Sequence, residues 1–169
     1  MESEVSRRNR IAAALPKHRE LFYGGSWRAA ISGGRFEVRN PATGESLGEV
    51  SEAAAEDVDQ AVRAAYEAFS AWRRTAPLER AAKLRETARR LRANIAELAL
   101  LDAADCGNPV RAMTGDVNVA AAFLDYFAGL VTEMKGETIP MGPGVVNYTM
   151  REPLGVVVRI VPFNHEVCN

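Results

Sequence analysis

Cysteine, net charge and long apolar runs are all scarce in this chain of 169 residues. Two cysteines, Cys106 and Cys168, cannot build a disulfide framework, which favours a reducing compartment. A net charge of −1 gives no electrostatic reason for binding nucleic acid or a membrane surface. The polar residues 1–10 are followed by no apolar stretch long enough for a signal peptide or a membrane span. We therefore expect a cytoplasmic protein without nucleic-acid or membrane partners.

A glycine-rich phosphate loop is missing as well. Gly24-Gly25 and Gly33-Gly34 do not complete the Gly-x-Gly-x-x-Gly pattern that binds dinucleotides. Both pairs are most simply tight turns. What the chain does have is a hydrophobic content of 47%, enough to build the core of one domain. No group of residues predicts a metal site.

The first 135 residues predict an arm, a few strands and three helices. Residues 1–18 are expected to be mobile and weakly helical, and residues 21–50 alternate as two or three short antiparallel strands would. The second helix begins at Pro77 and ends at Gly107, and Asn108 caps the third. The many arginines of the second helix predict a solvated face. The apolar residues expected to face inward recur at helical spacing: Val58, Val62, Ala65, Phe69, Trp72; Leu84, Ala88, Leu91, Ile95, Leu98, Leu101; Met113, Val117, Ala120, Leu124, Phe127 and Val131.

The final part of the chain is extended. Residues 137–141 and 145–151 flank a Gly-Pro-Gly turn and predict a hairpin, which would be marginal in water without a partner sheet. Residues 154–161 form an apolar, β-branched run, predicting a strand covered on both faces and ended by Pro162. Asn164 then lies beyond the carboxyl end of that strand, where open α/β sheets bind ligands. Its amide suits either a turn or an oxyanion site.

Several motifs in order resemble the aldehyde dehydrogenase superfamily over roughly residues 20 to 165. They are Phe22-Tyr23-Gly24-Gly25-Ser26-Trp27; Asn40-Pro41-Ala42-Thr43-Gly44-Glu45; Asp57-Val58-Asp59-Gln60-Ala61-Val62; Asp105-Cys106-Gly107-Asn108-Pro109; and Arg151, Pro153, Gly155, Pro162, Phe163 and Asn164. The implied fold is α/β, the N-terminal part of the aldehyde dehydrogenase fold. That part is an incomplete, Rossmann-like cofactor domain with the start of an oligomerisation β-ribbon. The implied units are an arm (1–18), part of the cofactor domain (19–135), an oligomerisation hairpin (136–151) and the truncated first dinucleotide-fold strand (152–169).

The resemblance also implies a reaction, in which NAD or NADP oxidises an aldehyde through a cysteine thiohemiacetal. It implies that the Asn164 amide is a catalytic oxyanion donor. Cofactor contacts are expected from Ile160, Val161, Pro162 and Phe163. The intact protein is expected to be a homo-oligomer.

Neither cysteine suits the role of nucleophile. Cys106 lies at a helix C-terminus beside two carboxylates, which disfavour a thiolate, and Cys168 has no base arranged around it. The expected glutamate base and cysteine nucleophile are absent, and residues 166–169 do not resemble the family's continuation, which suggests a frameshift or a broken gene. Two alternatives stay open, namely a coenzyme A-acylating dehydrogenase and an inactive fragment or binding module. We expect the isolated chain to be poorly soluble, because its last strand has no neighbours.

Overall fold

The computed structural model describes residues 3–165 and 167. The helices are α1 (Glu4–Ala14), α2 (Ala55–Trp72), α3 (Pro77–Ala93), α4 (Ile95–Cys106) and α5 (Val110–Gly129), followed by a 3-10 turn (Leu130–Thr132). The strands are β1 (Leu21–Tyr23), β2 (Ser26–Arg28), β3 (Arg35–Arg39), β4 (Ser46–Ser51), β5 (Thr138–Pro140) and β6 (Val146–Tyr148). Within the described residues the strands pair as three antiparallel hairpins, β1–β2, β3–β4 and β5–β6. None of the described helices is both long and apolar enough to cross a bilayer.

Residues 21–50 contain four strands rather than the two or three predicted. The turn between β3 and β4 is built around Asn40, which is 7% exposed. Its side-chain oxygen accepts a hydrogen bond from the N–H of Ala42 at 2.9 Å, and its carbonyl accepts one from Gly44 at 2.7 Å. Gly44 has φ +73°, a conformation that favours glycine. The Asn-Pro-x-Thr-Gly motif is therefore a turn whose own side chain satisfies its backbone.

The N-terminal arm contains a regular helix, α1, where the sequence predicted weak helicity. Its N-cap Ser3 accepts a hydrogen bond from the N–H of Ser6 at 3.2 Å, as serine caps commonly do. The helix packs against α4 and buries Ala14. Arg19 then donates to the carbonyl of Leu47 at 2.8 Å, which ties the following linker to β4.

The core lies where α5 packs against both α3 and α4. Its buried positions are mostly small: Ala81, Ala88, Ala99, Leu100, Ala104, Met113, Val117, Ala120, Ala121 and Ala128. Small side chains allow the helix axes to approach closely, and Met113 and Val117, both 0% exposed, fill the space that remains. The prediction that Phe127 faces inward is wrong, since it is 59% exposed.

The predicted second helix is two helices, α3 and α4, separated at Asn94. Asn94 has φ −115° and ψ 19°, and its side chain donates to the carbonyl of Arg90 at 2.8 Å. A short amide side chain that competes for backbone groups in this way is a known reason for a helix to stop. The third predicted helix begins at Val110 with Pro109 as its N-cap, so Asn108 lies outside it.

The arginines of α3 do more than form a solvated face. Arg92 forms an ion pair with Asp125 of α5 at 2.8 Å, and Arg85 donates to the carbonyl of Ala128 at 3.4 Å. On the exposed side, hydrogen bonds from Arg89 and Arg90 lower the pKa of Glu86 to about 2. Part of the charge on α3 therefore fixes its position against α5.

Asp57 joins the start of α2 to the loop after β2. It is 1% exposed, and its carboxylate accepts hydrogen bonds from the N–H groups of Ala54 at 3.0 Å and Ile31 at 3.1 Å. The first of these is half of a capping box; the alanine at the N-cap has no side-chain acceptor to supply the other half. One carboxylate thus satisfies two backbone donors from different parts of the chain.

We expect Asp57→Ala to destabilise this junction by about 1–3 kcal/mol, because two donors lose a charged acceptor. Hydrogen–deuterium exchange should accelerate in the first turn of α2 and around Ile31. The matched control is Asp59→Ala on the same helix, where an exposed ion pair with Arg63 at 2.7 Å is lost. That loss costs well under 1 kcal/mol. Equal acceleration in both variants would contradict the role given to Asp57.

Candidate functional site

The segment that carries the predicted site is extended but unpaired. No strand is assigned to residues 149–165 of the described chain, so the prediction of a strand covered on both faces at 154–161 is wrong for this chain. Leu154 is 96% exposed and Ile160 is 93% exposed. The physical reason is that parallel strands pair only across crossover connections, and no neighbouring strand is present in the described residues. The expectation that this segment has no neighbouring strand is confirmed within the described residues, and its apolar side chains are exposed.

Asn164 lies in a turn at the end of this segment, where Phe163 and Asn164 follow Pro162. The side-chain amide of Asn108 donates to the main-chain carbonyl of Asn164 at 2.7 Å. Asn108 was predicted to cap α5 but does not. Its side chain is hydrogen-bonded to the turn instead. The residue Asn164 is itself exposed. A primary amide placed this way can donate to a developing oxyanion.

The next residue makes a second contact with α5. The Nδ1 atom of His165 lies 2.5 Å from a carboxylate oxygen of Asp116. The Asp116 side chain is 21% exposed and that of His165 is 45% exposed. Neither His165 nor Asp116 belongs to a sequence motif that predicts the contact. Nothing in the spacing points to this pair, because the two residues are 49 positions apart.

The four predicted cofactor-contacting residues are brought together only as neighbours along the segment. Ile160, Val161 and Phe163 are 93%, 49% and 84% exposed, and Pro162 is exposed as well. They form an apolar strip that leads directly to Asn164. A groove of about 720 Å³ lies elsewhere, between the C-terminal ends of α2 and α5 and the start of α3, and none of residues 160–164 lines it. Cofactor contact by these residues stays a prediction.

Of the two cysteines, the structure describes Cys106. The Sγ atom of Cys106 lies 3.7 Å from the Sδ atom of Met113, in the packing between α4 and α5. Glu166 and Cys168 lie outside the described residues. Among the residues that the structure does describe, no group of three or more histidine, cysteine or acidic side chains is arranged to hold a metal ion.

Comparison with known proteins gives one consistent result. Residues 27–168 match the model of the aldehyde dehydrogenase family. Aldehyde dehydrogenase tropH from Talaromyces stipitatus is 46% identical over 159 residues, which are 92% of this chain and 31% of that protein. The apo structure of an indole-3-acetaldehyde dehydrogenase superposes with a TM-score of 0.91 at 31% identity, over 99% of this chain and 39% of that one. Betaine aldehyde dehydrogenase from Staphylococcus aureus, solved with NAD+, superposes with a TM-score of 0.89 at 27% identity, over 93% and 32%.

These likenesses cover nearly all of this chain but about a third of each relative. The predicted fold class, an α/β chain that corresponds to the N-terminal part of the aldehyde dehydrogenase fold, is confirmed by the same superpositions. The match runs through the turn that carries Asn164. The chain therefore belongs to the aldehyde dehydrogenase family and spans about a third of the length of its relatives.

Proposed function

We propose that the complete gene product oxidises an aldehyde to a carboxylic acid with NAD or NADP, and that this chain supplies one of its two oxyanion donors. The observation that carries the proposal is the turn at Asn164, which leaves a primary amide exposed at the end of an apolar strip and is held in place through its own carbonyl. Family membership supports the reaction class. The relative solved with NAD+ supports a nicotinamide cofactor.

The chemistry gives Asn164 a definite task. A cysteine thiolate outside this chain attacks the aldehyde carbon, and the carbonyl oxygen becomes a negatively charged thiohemiacetal oxygen. The Asn164 amide donates a hydrogen bond to that oxygen, together with the backbone N–H of the nucleophile. A bound nicotinamide cofactor would supply the acceptor for the hydride that this carbon loses on becoming a thioester. A water molecule activated by a glutamate outside this chain then hydrolyses the thioester and releases the acid.

The strip of Ile160, Val161, Pro162 and Phe163 fits the proposed cofactor contact. Its side chains are apolar and exposed, so they can pack against a planar ring without first losing hydrogen bonds to water. Its unpaired backbone offers N–H and C=O groups as well. These four residues would hold the nicotinamide end of NAD or NADP beside Asn164.

The hairpin β5–β6 supports a further part of the proposal, assembly into a homo-oligomer. Val146 and Tyr148 are 80% and 61% exposed, although both lie on a strand. A two-stranded hairpin with exposed apolar side chains gains stability when another sheet pairs with it. We propose that a second subunit supplies that sheet.

A cytoplasmic location stays a prediction.

The test is the appearance of reduced nicotinamide when the purified complete gene product receives an aldehyde and either NAD or NADP. We expect turnover with at least one of the two cofactors, and a carboxylic acid as product. The same assay with coenzyme A separates the acylating alternative, which would form a thioester instead of the acid. No turnover with a panel of aliphatic and aromatic aldehydes would contradict the proposal.

A further inference from the structure

Two contacts from the α5 region hold the turn at residues 163–165. The Asn108 amide, just before α5, binds the carbonyl of Asn164 at 2.7 Å. The carboxylate of Asp116, further along α5, meets the ring of His165 at 2.5 Å. The first contact is to Asn164 itself, and the second is to the residue after it. The turn is therefore held at two neighbouring points, the carbonyl of Asn164 and the ring of His165, both just C-terminal to the Asn164 Cα atom, by α5 and its N-terminal flank.

The chemistry of the second contact determines which atom donates. An ionised carboxylate has no hydrogen to give, so the Nδ1 atom of His165 carries the hydrogen and donates a hydrogen bond to Asp116. This holds for the neutral ring in its Nδ1–H tautomer and for the charged ring alike. The two atoms lie within hydrogen-bonding distance, and a hydrogen bond to an ionised acceptor is about twice as strong as one between neutral groups. Asp116 is also partly buried, which shields the contact from water and salt.

For catalysis, the position of the Asn164 amide matters more than the stability that its contacts add to the fold. An oxyanion donor contributes when its hydrogen points to the place where the charge develops, within about 2.7–3.1 Å. A displacement of about 1 Å at a reacting centre can lower a rate by about 10²-fold. In the described chain residues 149–162 contain no strand, so no sheet ladder holds the segment that precedes the turn. Among the described residues, Asn108 donates a hydrogen bond to the carbonyl of Asn164, and His165 is hydrogen-bonded to Asp116.

We propose that Asp116 is a positioning residue for the oxyanion donor, acting through His165 on the orientation of Asn164. The inference rests on the proposed function for its catalytic meaning. Its structural content is independent of that function, since it concerns where one turn lies against α5. Asp116 makes no contact with substrate in this scheme and is not itself a catalytic residue.

Asp116→Asn in the complete gene product tests the proposal, because the amide keeps the volume of the carboxylate but weakens the bond to His165. We expect kcat for aldehyde oxidation to fall by about 10- to 100-fold, with KM for the aldehyde changed less than about twofold. A fall in kcat at constant KM marks an interaction that acts in the transition state. The conservative Asp116→Glu should recover part of kcat, because it restores a carboxylate that can reach His165.

The matched control is Asp125→Asn on the same helix, which loses an ion pair with Arg92 on the other side of α5. We expect its kcat to stay within about twofold of the parent enzyme, as for loss of an exposed ion pair. If Asp116→Asn leaves kcat unchanged, or if both variants lower it equally, the positioning role is wrong.

Crystal structures of the complete protein and both variants supply a readout that does not need turnover. We expect the Asn164 amide to be displaced in Asp116→Asn and unmoved in Asp125→Asn. An unmoved Asn164 in Asp116→Asn would overturn the inference. If the parent protein oxidises no aldehyde, the proposed function fails, while the structural comparison still decides whether Asp116 positions this turn.

Discussion

Asn164→Ala is expected to lower kcat for aldehyde oxidation by the complete gene product about 10²- to 10³-fold. This is the usual cost of removing one oxyanion donor from an acyl-transfer site. The alanine side chain offers no hydrogen, so the developing charge keeps only the backbone donor of the nucleophile. Steady-state kinetics with a saturating nicotinamide cofactor measure the effect. Substrate binding should change little, since the charge that Asn164 stabilises does not exist in the ground state.

The chain offers a matched control for that experiment. Gln60 is another exposed primary amide, on α2, where it accepts a hydrogen bond from the hydroxyl of Tyr23 at 3.1 Å. Gln60→Ala removes the same functional group from a place away from the turn, and we expect it to leave kcat within about twofold of the parent value, as is usual for a surface substitution. If Asn164→Ala also stayed within that range, Asn164 would be a turn former and nothing more.

The second large effect concerns the chain of 169 residues by itself, which we expect to self-associate and to unfold without a sharp transition. Leu154, Val157, Val158 and Ile160 are 96%, 69%, 73% and 93% exposed along one unpaired segment. An extended, apolar segment with free backbone groups is a template for pairing with other chains. Light scattering should show a polydisperse sample, and thermal melting should be broad.

Charge placed on this segment should reverse the self-association. The double variant Leu154→Lys and Val157→Glu interrupts the apolar run at two exposed positions, so it should yield a monodisperse monomer. A double variant at two exposed, already polar positions of α2, Gln60→Lys and Glu67→Lys, is the control and should leave the association unchanged. A sharp, cooperative transition in a monodisperse sample of the unmodified chain would refute the prediction.

Local sequence signals were sufficient where an element depends on its own residues. Pro77 begins α3 and Gly107, with φ +82°, ends α4, as the predicted backbone roles of these residues require. They did not reveal the break at Asn94, because an apolar stripe continues across it. The interruption shows in the backbone angles of Asn94 and in its side-chain hydrogen bond to the carbonyl of Arg90. Likewise, the stripe on α2 predicted an inward face, but Val58, Val62 and Trp72 are 54%, 39% and 47% exposed. A stripe shows which face of a helix is apolar, and the described residues cover only part of that face on α2.

The candidate site divides in the same way. Asn164 and the strip of residues 160–163 were identified from sequence, because a motif lies in adjacent residues and a resemblance can be recognised one position at a time. Asn108 was assigned to the wrong partner, and Asp116 was not singled out. Their contacts join residues 56 and 49 positions apart, and no local pattern encodes such a distance.

By itself, the sequence determined the family, the class of fold, the start of α3 at Pro77 and the end of α4 at Gly107, and the amide proposed to stabilise the oxyanion. These follow from short-range preferences and from motifs that lie within a few residues of each other. Only the tertiary structure decided that Asn108, just before α5, and Asp116, within it, hold the Asn164 turn, and that residues 154–161 form no strand. The physical reason is that packing and hydrogen bonding between distant residues depend on where the intervening chain places them.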